Sequence, residues 1–219
     1  MNPNGLIFGS GSVVSASGVM AFAAATPWGK PTGTVTNAGV LTATGNGTVA
    51  LVGTSVSNSG TISAPGGEVI LAAGESVTPI ATTGATSVSV VTTGGGTVDD
   101  SGIVSAETLN GKTGTILLQS GMGSGTTTLE STAVLDASAP MAANGGSITV
   151  NGYKVVLDET APLDVSAPYG TPGTITIDPT TLDIGTASAL ETIDPSASQS
   201  QYLADTICLT ANINLGGGS

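Results

Sequence analysis

VSNSGTISAPGGEVILAAG, residues 56–74, carries one charged residue, Glu68, and neither an aromatic ring nor a histidine. No group in it is placed to attack, protonate or hold a metal. Its information lies in repetition. A close copy, VTNAGVLTA, opens at Val35, VDDSGIVSA opens at Val98, and VSASGVMA opens at Val14. The opening residues Val14, Val35, Val56 and Val98 are 21, 21 and 42 residues apart, and Val77 falls at the missing multiple. Looser copies open at Leu129 (LESTAVLDASAP) and Leu157 (LDETAPLDVSAP). A second phrase interleaves with the first: GTVALVG at Gly47, GEVILAAG at Gly67, GTILLQSG at Gly114, GSITVNG at Gly146 and GTITIDP at Gly173. Self-similarity at a fixed period marks a stacked repeat.

Each phrase reads as a short strand. Thr48-Val49-Ala50-Leu51 and Ile175-Thr176-Ile177 alternate, which gives one apolar face. Gly39, Gly60 and Gly102 recur between strands, where the chain must turn and a positive φ is cheap for glycine. Asn37 and Asn58 lie two residues before that glycine, so stacked repeats predict a ladder of side-chain amides. Asp100 takes the same place in the Val98 phrase, and a carboxylate is a poorer ladder member because it cannot donate. Glycine and β-branched residues saturate the chain, and no amphipathic helical stripe precedes Ala187. A hairpin-built sandwich is the competing all-β architecture, with turns every 8–12 residues. A period covering two to three strands instead predicts an all-β solenoid, a right-handed parallel β-helix with rungs of about 21 residues. Each residue then packs on its counterpart about 4.8 Å along the axis, and some ten rungs make a rod of about 45–50 Å. Three segments are expected: 1–80, 81–185 as acidic shaft rungs, and 186–219 as a terminal segment, irregular or helical and then strand.

Composition narrows the function. The chain of 219 residues has 33 glycines, 8% charged residues and 3% aromatics, so its core must be built from Val, Ile, Leu and Ala. The formal charge is −12, with three lysines, no arginine and no histidine. Nucleic acid is excluded as a partner, because no basic footprint exists to displace counterions. Thirteen of the fifteen acids follow residue 98, and a solvated acidic surface is the plain reading of that half. No apolar run approaches the ~20 residues that span a bilayer, so membrane insertion is not expected. VVSASGVMAFAAATP ends with Ala23 and Ala25 at signal-peptide cleavage spacing, but no Lys or Arg precedes it. The single cysteine, Cys208, sits in the apolar run DTICLTANI and reads as a small buried hydrophobe.

NPNGLIFG, residues 2–9, adds a family resemblance. It resembles a motif in the secretion domain of two-partner secretion exoproteins, the filamentous haemagglutinin family of Gram-negative bacteria. Residues 35–79 are similar to the consensus that follows in that domain, and QYLADTICLTANINL loosely resembles phrases of the later shaft. The resemblance implies a right-handed parallel β-helix and export through a dedicated outer-membrane transporter partner. It also implies an extracellular or cell-surface adhesin role, with a host glycan or protein receptor as partner. The secretion motif carries over to Asn2, Pro3, Asn4 and Gly5 alone. The family's GGLIAST reads SGVMAFAAA here at 17–25, and the following insert is shortened to TPWGKPTG. In the family a cap, earlier strands and a signal peptide precede this motif, so a fragment or a redeployed fold is expected.

An enzyme on the same scaffold is the competing class. Glycoside hydrolysis needs two opposed carboxylates, and Asp99 with Asp100, Asp158 with Glu159, and Asp178 with Asp183 are the pairs available. Each reads more simply as a solvated turn. A lyase acting on acidic sugars lacks the arginines to bind its substrate. Triads and metal sites that need histidine are excluded, and the Gly-rich runs lack the helix and Gly-Lys-Thr/Ser ending of a phosphate loop. Oxygen-only calcium binding around Asp158, Glu159 and Asp164 fits no known loop spacing. Trp28, Tyr153, Tyr169 and Tyr202 are too scattered for a sugar platform. A flat Thr-x-Thr face for ice would need TTT (126–128) and TIT (174–176) to align, and they do not. The sequence therefore points to a non-enzymatic adhesin-like shaft without cofactor or metal. The alternative is a building block of an extracellular filament, self-associating end to end through uncapped rungs.

Overall fold

The structure is a computed structural model, and it describes residues 1–26, 29–80, 89–158, 160–184, 199–202 and 206–209. The helical expectation for the terminal segment, Trp28 and Glu159 lie outside these residues. All regular elements among the described residues are strands. They follow one another in triplets. The first is β1 (Leu6–Phe8), β2 (Val13–Ala16) and β3 (Val19–Phe22); the second is β4 (Thr34–Asn37), β5 (Val40–Ala43) and β6 (Thr48–Gly53). The third is β7 (Ser55–Asn58), β8 (Thr61–Ser63) and β9 (Glu68–Ala73). A hairpin, β10 (Ser76–Ile80) and β11 (Ser89–Thr93), interrupts. Then come β12 (Thr97–Asp100), β13 (Ile103–Ser105) and β14 (Thr115–Gln119). Next are β15 (Thr126–Leu129), β16 (Val134–Asp136), β17 (Ser147–Leu157), β18 (Leu163–Asp164) and β19 (Thr174–Ile184). The last are β20 (Gln199–Tyr202) and β21 (Thr206–Leu209).

Every strand outside the hairpin pairs in parallel with its counterpart in the neighbouring triplet. One sheet runs β1-β4-β7-β12-β15-β17, then back through β14-β9-β6-β3, because the two halves of the eleven-residue β17 pair with different strands. A second sheet runs β18-β16-β13-β8-β5-β2. The fold is thus all-β, with mostly parallel, nearly closed sheets.

The register shows why small aliphatics suffice for the core. Val49, Val69, Ile116, Ile148 and Ile175 form one buried column, and Leu51, Leu71, Leu118, Val150 and Ile177 form the next. On the second sheet Leu41, Ile62, Val104, Leu135 and Leu163 stack in the same way. Each side chain packs on its own kind above and below, so no ring is needed to fill the centre. Leu71→Ala opens a cavity in the middle of such a column. It is expected to cost about 3 kcal/mol, read as a lower urea midpoint at unchanged m-value.

The repeat length differs from the expected 21 residues. Val35 pairs with Val56 at that offset, but Leu6 pairs with Val35 at 29, Val98 with Thr127 at 29, Thr127 with Val155 at 28 and Val155 with Leu182 at 27. Most of the extra residues sit in the loop after β3 and in the longer loops that follow β13, β14, β16 and β18. Val14 lies not in the Val35 column but on β2, opposite Leu41. Val77 is likewise no member of that column. It lies on β10 and pairs antiparallel with Thr92 of β11. The doubled interval from Val56 to Val98 therefore holds a hairpin excursion rather than a degenerate repeat.

That hairpin covers a surface. Ala50, Ile70 and Leu117 occupy one outward column of the β6-β9-β14 run, and Val77 and Val90 of the hairpin are buried against them together with Phe22 and Val52. β6 and β9 are consequently buried on both faces, which accounts for their continuous apolar runs VALV and VILAA.

Candidate functional site: the amino-terminal turn and the buried polar ladder

Asn2-Pro3-Asn4-Gly5 forms a hydrogen-bonded turn. The Gly5 amide donates to the Asn2 carbonyl (3.1 Å), and the Asn4 amide donates to the Asn2 side-chain oxygen (3.0 Å). Proline at the second position and a negative φ at Asn4 fit a type I turn. Gly5 itself adopts φ +112°, and a Cβ there would meet the Thr34 carbonyl oxygen at 2.8 Å. The turn is tied down from two sides, since the Asn2 amide donates to the Phe22 carbonyl (3.1 Å) and the Thr32 hydroxyl to the Pro3 carbonyl (2.7 Å). Asn2, Pro3 and Asn4 stay exposed while Gly5 feeds directly into β1. The motif is thus a rigid, solvent-facing corner.

Asn37, Asn58 and Asp100 occupy one register position on β4, β7 and β12, with their side chains fully buried. The Asn37 amide nitrogen donates to Asn58 Oδ1 (2.8 Å), and the Asn58 nitrogen donates to Asp100 Oδ1 (2.8 Å). Each side-chain oxygen also accepts the backbone N–H two residues on: Gly39 to Asn37 (3.1 Å), Gly60 to Asn58 (3.3 Å) and Gly102 to Asp100 (3.3 Å). Every rung of the ladder is therefore also an Asx turn. The column begins at Phe8 and continues beyond Asp100 as Leu129 and Leu157. Asp100 is where a polar column becomes an aliphatic one.

The glycines beside the ladder serve a different purpose from the one expected. Gly39, Gly60 and Gly102 are not among the positive-φ residues. A Cβ on Gly60 would run into the Gly39 carbonyl oxygen, and a Cβ on Gly102 into that of Gly60. Close approach of successive backbones, not turn handedness, selects glycine at this corner. The second phrase follows the same rule, since Gly67 abuts the Gly47 carbonyl, Gly146 that of Gly114, and Gly173 that of Gly146.

Asp99 and Asp100 do not converge as a catalytic pair, and Glu159 and Asp183, the partners of Asp158 and Asp178, lie outside the described side chains. Asp99 and Asp100 are neighbours on β12 and face opposite sides, the first exposed and the second buried. Asp158 closes its own turn, accepting from the Thr160 amide (2.9 Å) and hydroxyl (2.7 Å), which hold its carboxyl below the usual range. Asp136 and Asp164 stack in register. Glu107 lies near them, its carboxyl raised by burial and then by their negative charge. Among the described residues no three side chains of metal-ligating type are grouped to hold an ion.

One buried polar cluster has no counterpart in the sequence reading. The Thr92 hydroxyl of β11 donates to the Ser120 carbonyl (2.7 Å) and accepts from Gln119 Nε2 (3.1 Å). The buried Thr127 hydroxyl donates to the Asn151 carbonyl (2.6 Å). The two Thr92 bonds fasten the hairpin to the end of β14, and the Thr127 bond ties β15 to β17. The only available signal was the polar pair Gln119-Ser120, where the preceding phrase has Ala72-Ala73.

Set against known proteins, the chain matches no family model, no curated protein and no solved structure. No helix among the described residues is long and apolar enough to cross a membrane.

Proposed function

We propose that the chain is a right-handed parallel β-helix and that it works as a non-enzymatic shaft segment of a filamentous haemagglutinin-like adhesin. In this reading it is secreted or held at the bacterial surface after export by a two-partner route. The supporting observation is the parallel, triplet-by-triplet register that opens on the exposed NPNG turn. Each triplet is then one coil of three faces. A shaft needs stiffness and length rather than a pocket, and stacked columns of aliphatic side chains supply both. The exposed turn leaves Asn2, Pro3 and Asn4 available to an outer-membrane transporter.

The test is export. The chain is fused behind a signal peptide and co-expressed with a two-partner transporter in a Gram-negative host. Release into the medium is expected, and Asn4→Ala is expected to reduce it at least several-fold while leaving the far-ultraviolet dichroism unchanged. Equal release of both chains, or a mainly helical spectrum, would overturn the reading.

A second reading, stacking of copies end to end, is supported by β1, β2 and β3, which are the terminal strands of their sheets. Light scattering that gives a concentration-dependent mass above 20.9 kDa, with lengthening rods in negative stain, would favour it. Monodisperse short rods would remove it.

A further inference from the structure

Asp100 is the one ladder member that bears an ionisable group, and only one of its two carboxyl oxygens has hydrogen-bond partners. Its Oδ1 accepts from Asn58 Nδ2 and from the Gly102 amide. Its Oδ2 is buried without any hydrogen-bond partner. The next side chain along the column is Leu129, which can neither donate nor accept. Asn37 and Asn58 need no proton to satisfy the ladder, and Leu129 needs no ladder. The site is therefore a junction between a polar and an apolar column.

We propose that Asp100 is a proton-operated lock on the contact between β12 and its two neighbours, closed when the carboxyl is protonated and loosened when it ionises. The neutral acid places no charge in the core. The ionised one leaves a bare oxygen facing hydrocarbon, at the cost that burying an uncompensated charge carries. The surrounding charges do not relieve it. β7 carries none, and neither do the strand residues of β15. Asp99 adds negative charge from the same strand. Glu130, just after β15, is exposed and touches Asp100 through its backbone, donating its amide to the Asp100 carbonyl (2.8 Å). Glu68 at the start of β9, which packs across from β12, is acidic as well. Burial is the main cause that raises the Asp100 carboxyl from its ordinary 3.8 to about 7, with the Asn58 and Gly102 hydrogen bonds pulling the other way and Asp99 adding to the rise.

The direction follows from proton linkage. The native state keeps this proton until about pH 7, whereas the unfolded chain releases it near 3.8. Within that window the native state binds more protons, so stability falls as pH rises and the contribution is gone above about pH 7. This holds whether or not the chain is an adhesin.

The experiment is urea unfolding of the full chain at pH 5 and pH 8, beside Asp100→Asn. The wild-type unfolding equilibrium constant is expected to rise about 100-fold from pH 5 to pH 8 through this group. In Asp100→Asn that share of the rise is expected to vanish, leaving only the slope contributed by the surface acids. Amide exchange on the wild type gives a second readout that needs no variant to fold. The protection factors of Gly102 and Glu130 should drop between pH 5 and pH 8 by more than those of Ile148 and Ile175, which sit on a distant column. An equal slope in wild type and Asp100→Asn, or uniform loss of protection along the chain, would overturn the proposal.

Discussion

Gly60→Val is expected to lose at least ~5 kcal/mol of stability, enough to prevent folding of a chain with ordinary marginal stability. Gly60 lies between Gly39 and Gly102, and a Cβ at this position would meet the Gly39 carbonyl oxygen as well as the backbone of Ala38. These are backbone atoms of the corner between β4 and β5, held by the Ala38 amide on the Phe8 carbonyl (2.8 Å), so no side chain can swing away to make room. Moving the backbone would pull Thr61 from the Gly39 carbonyl, to which its amide donates (2.9 Å). Valine adds two further methyls to the clash. Gly45→Ala is the matched control, since no atom lies within 4 Å of a Cβ there and its φ of +66° is the sole obstacle. That strain costs on the order of 1 kcal/mol. A soluble Gly60→Val with a urea midpoint near wild type would contradict the close-packed corner.

Asn58→Asp is expected to be the most pH-sensitive lesion in the molecule. Asn58 donates to Asp100 and accepts from Asn37 and from the Gly60 amide. An aspartate at this position can still accept, but it presents an oxygen to an oxygen across a distance of 2.8 Å. At pH 8 two buried charges would then share one site, and like charges in such a place resist ionising together. A loss of ~5 kcal/mol is expected there. At pH 5 the pair can share a proton across the former amide contact, and more than half of the loss should return. Unfolding curves at the two pH values decide the matter. A penalty equal at both would show that shape, not charge, governs the column.

Much of the fold is legible in the sequence, and the boundary of legibility has a physical cause. The alternation in TVAL and TITI and the glycine before each such run define strand and corner. The placement of Asn37 and Asn58 two residues before glycine matches the observed ladder, because an Asx turn and a stacked amide impose that spacing together. What the letters do not reveal is which corner a phrase belongs to. VSASGVMA and VTNAGVLTA look alike because both are strand, glycine, strand. The first spans β2 and β3, and the second spans β4 and β5. Corners between different strand pairs use the same chemistry, so likeness of phrase does not fix register. Loop length was equally opaque. The loops after β13 and β16 lengthen the repeat without disturbing a single column, since loop closure costs little more as a loop grows. Val77 misled for a related reason, as an alternating run serves an antiparallel hairpin as well as a parallel rung. The role of Gly39, Gly60 and Gly102 is not legible because glycine has two virtues, free φ and absent bulk, and sequence does not say which one is in use. Positive φ falls instead at Gly5, Gly11, Gly45, Gly66, Gly94, Gly96 and Gly111, and at Asn46 and Asn110.

The hairpin that lies over Ala50, Ile70 and Leu117 also has a mechanical meaning. In a stack of parallel strands the hydrogen bonds between repeats lie along the direction of stacking. A load applied to the two ends therefore pulls on one layer of bonds at a time, and the stack peels like a coil of tape. The hairpin changes this locally. Its Val77 and Val90 grip side chains from three successive layers, and Thr92 fastens it to the last of them. Those three layers must then yield together, so the hairpin acts as a clamp across β6, β9 and β14.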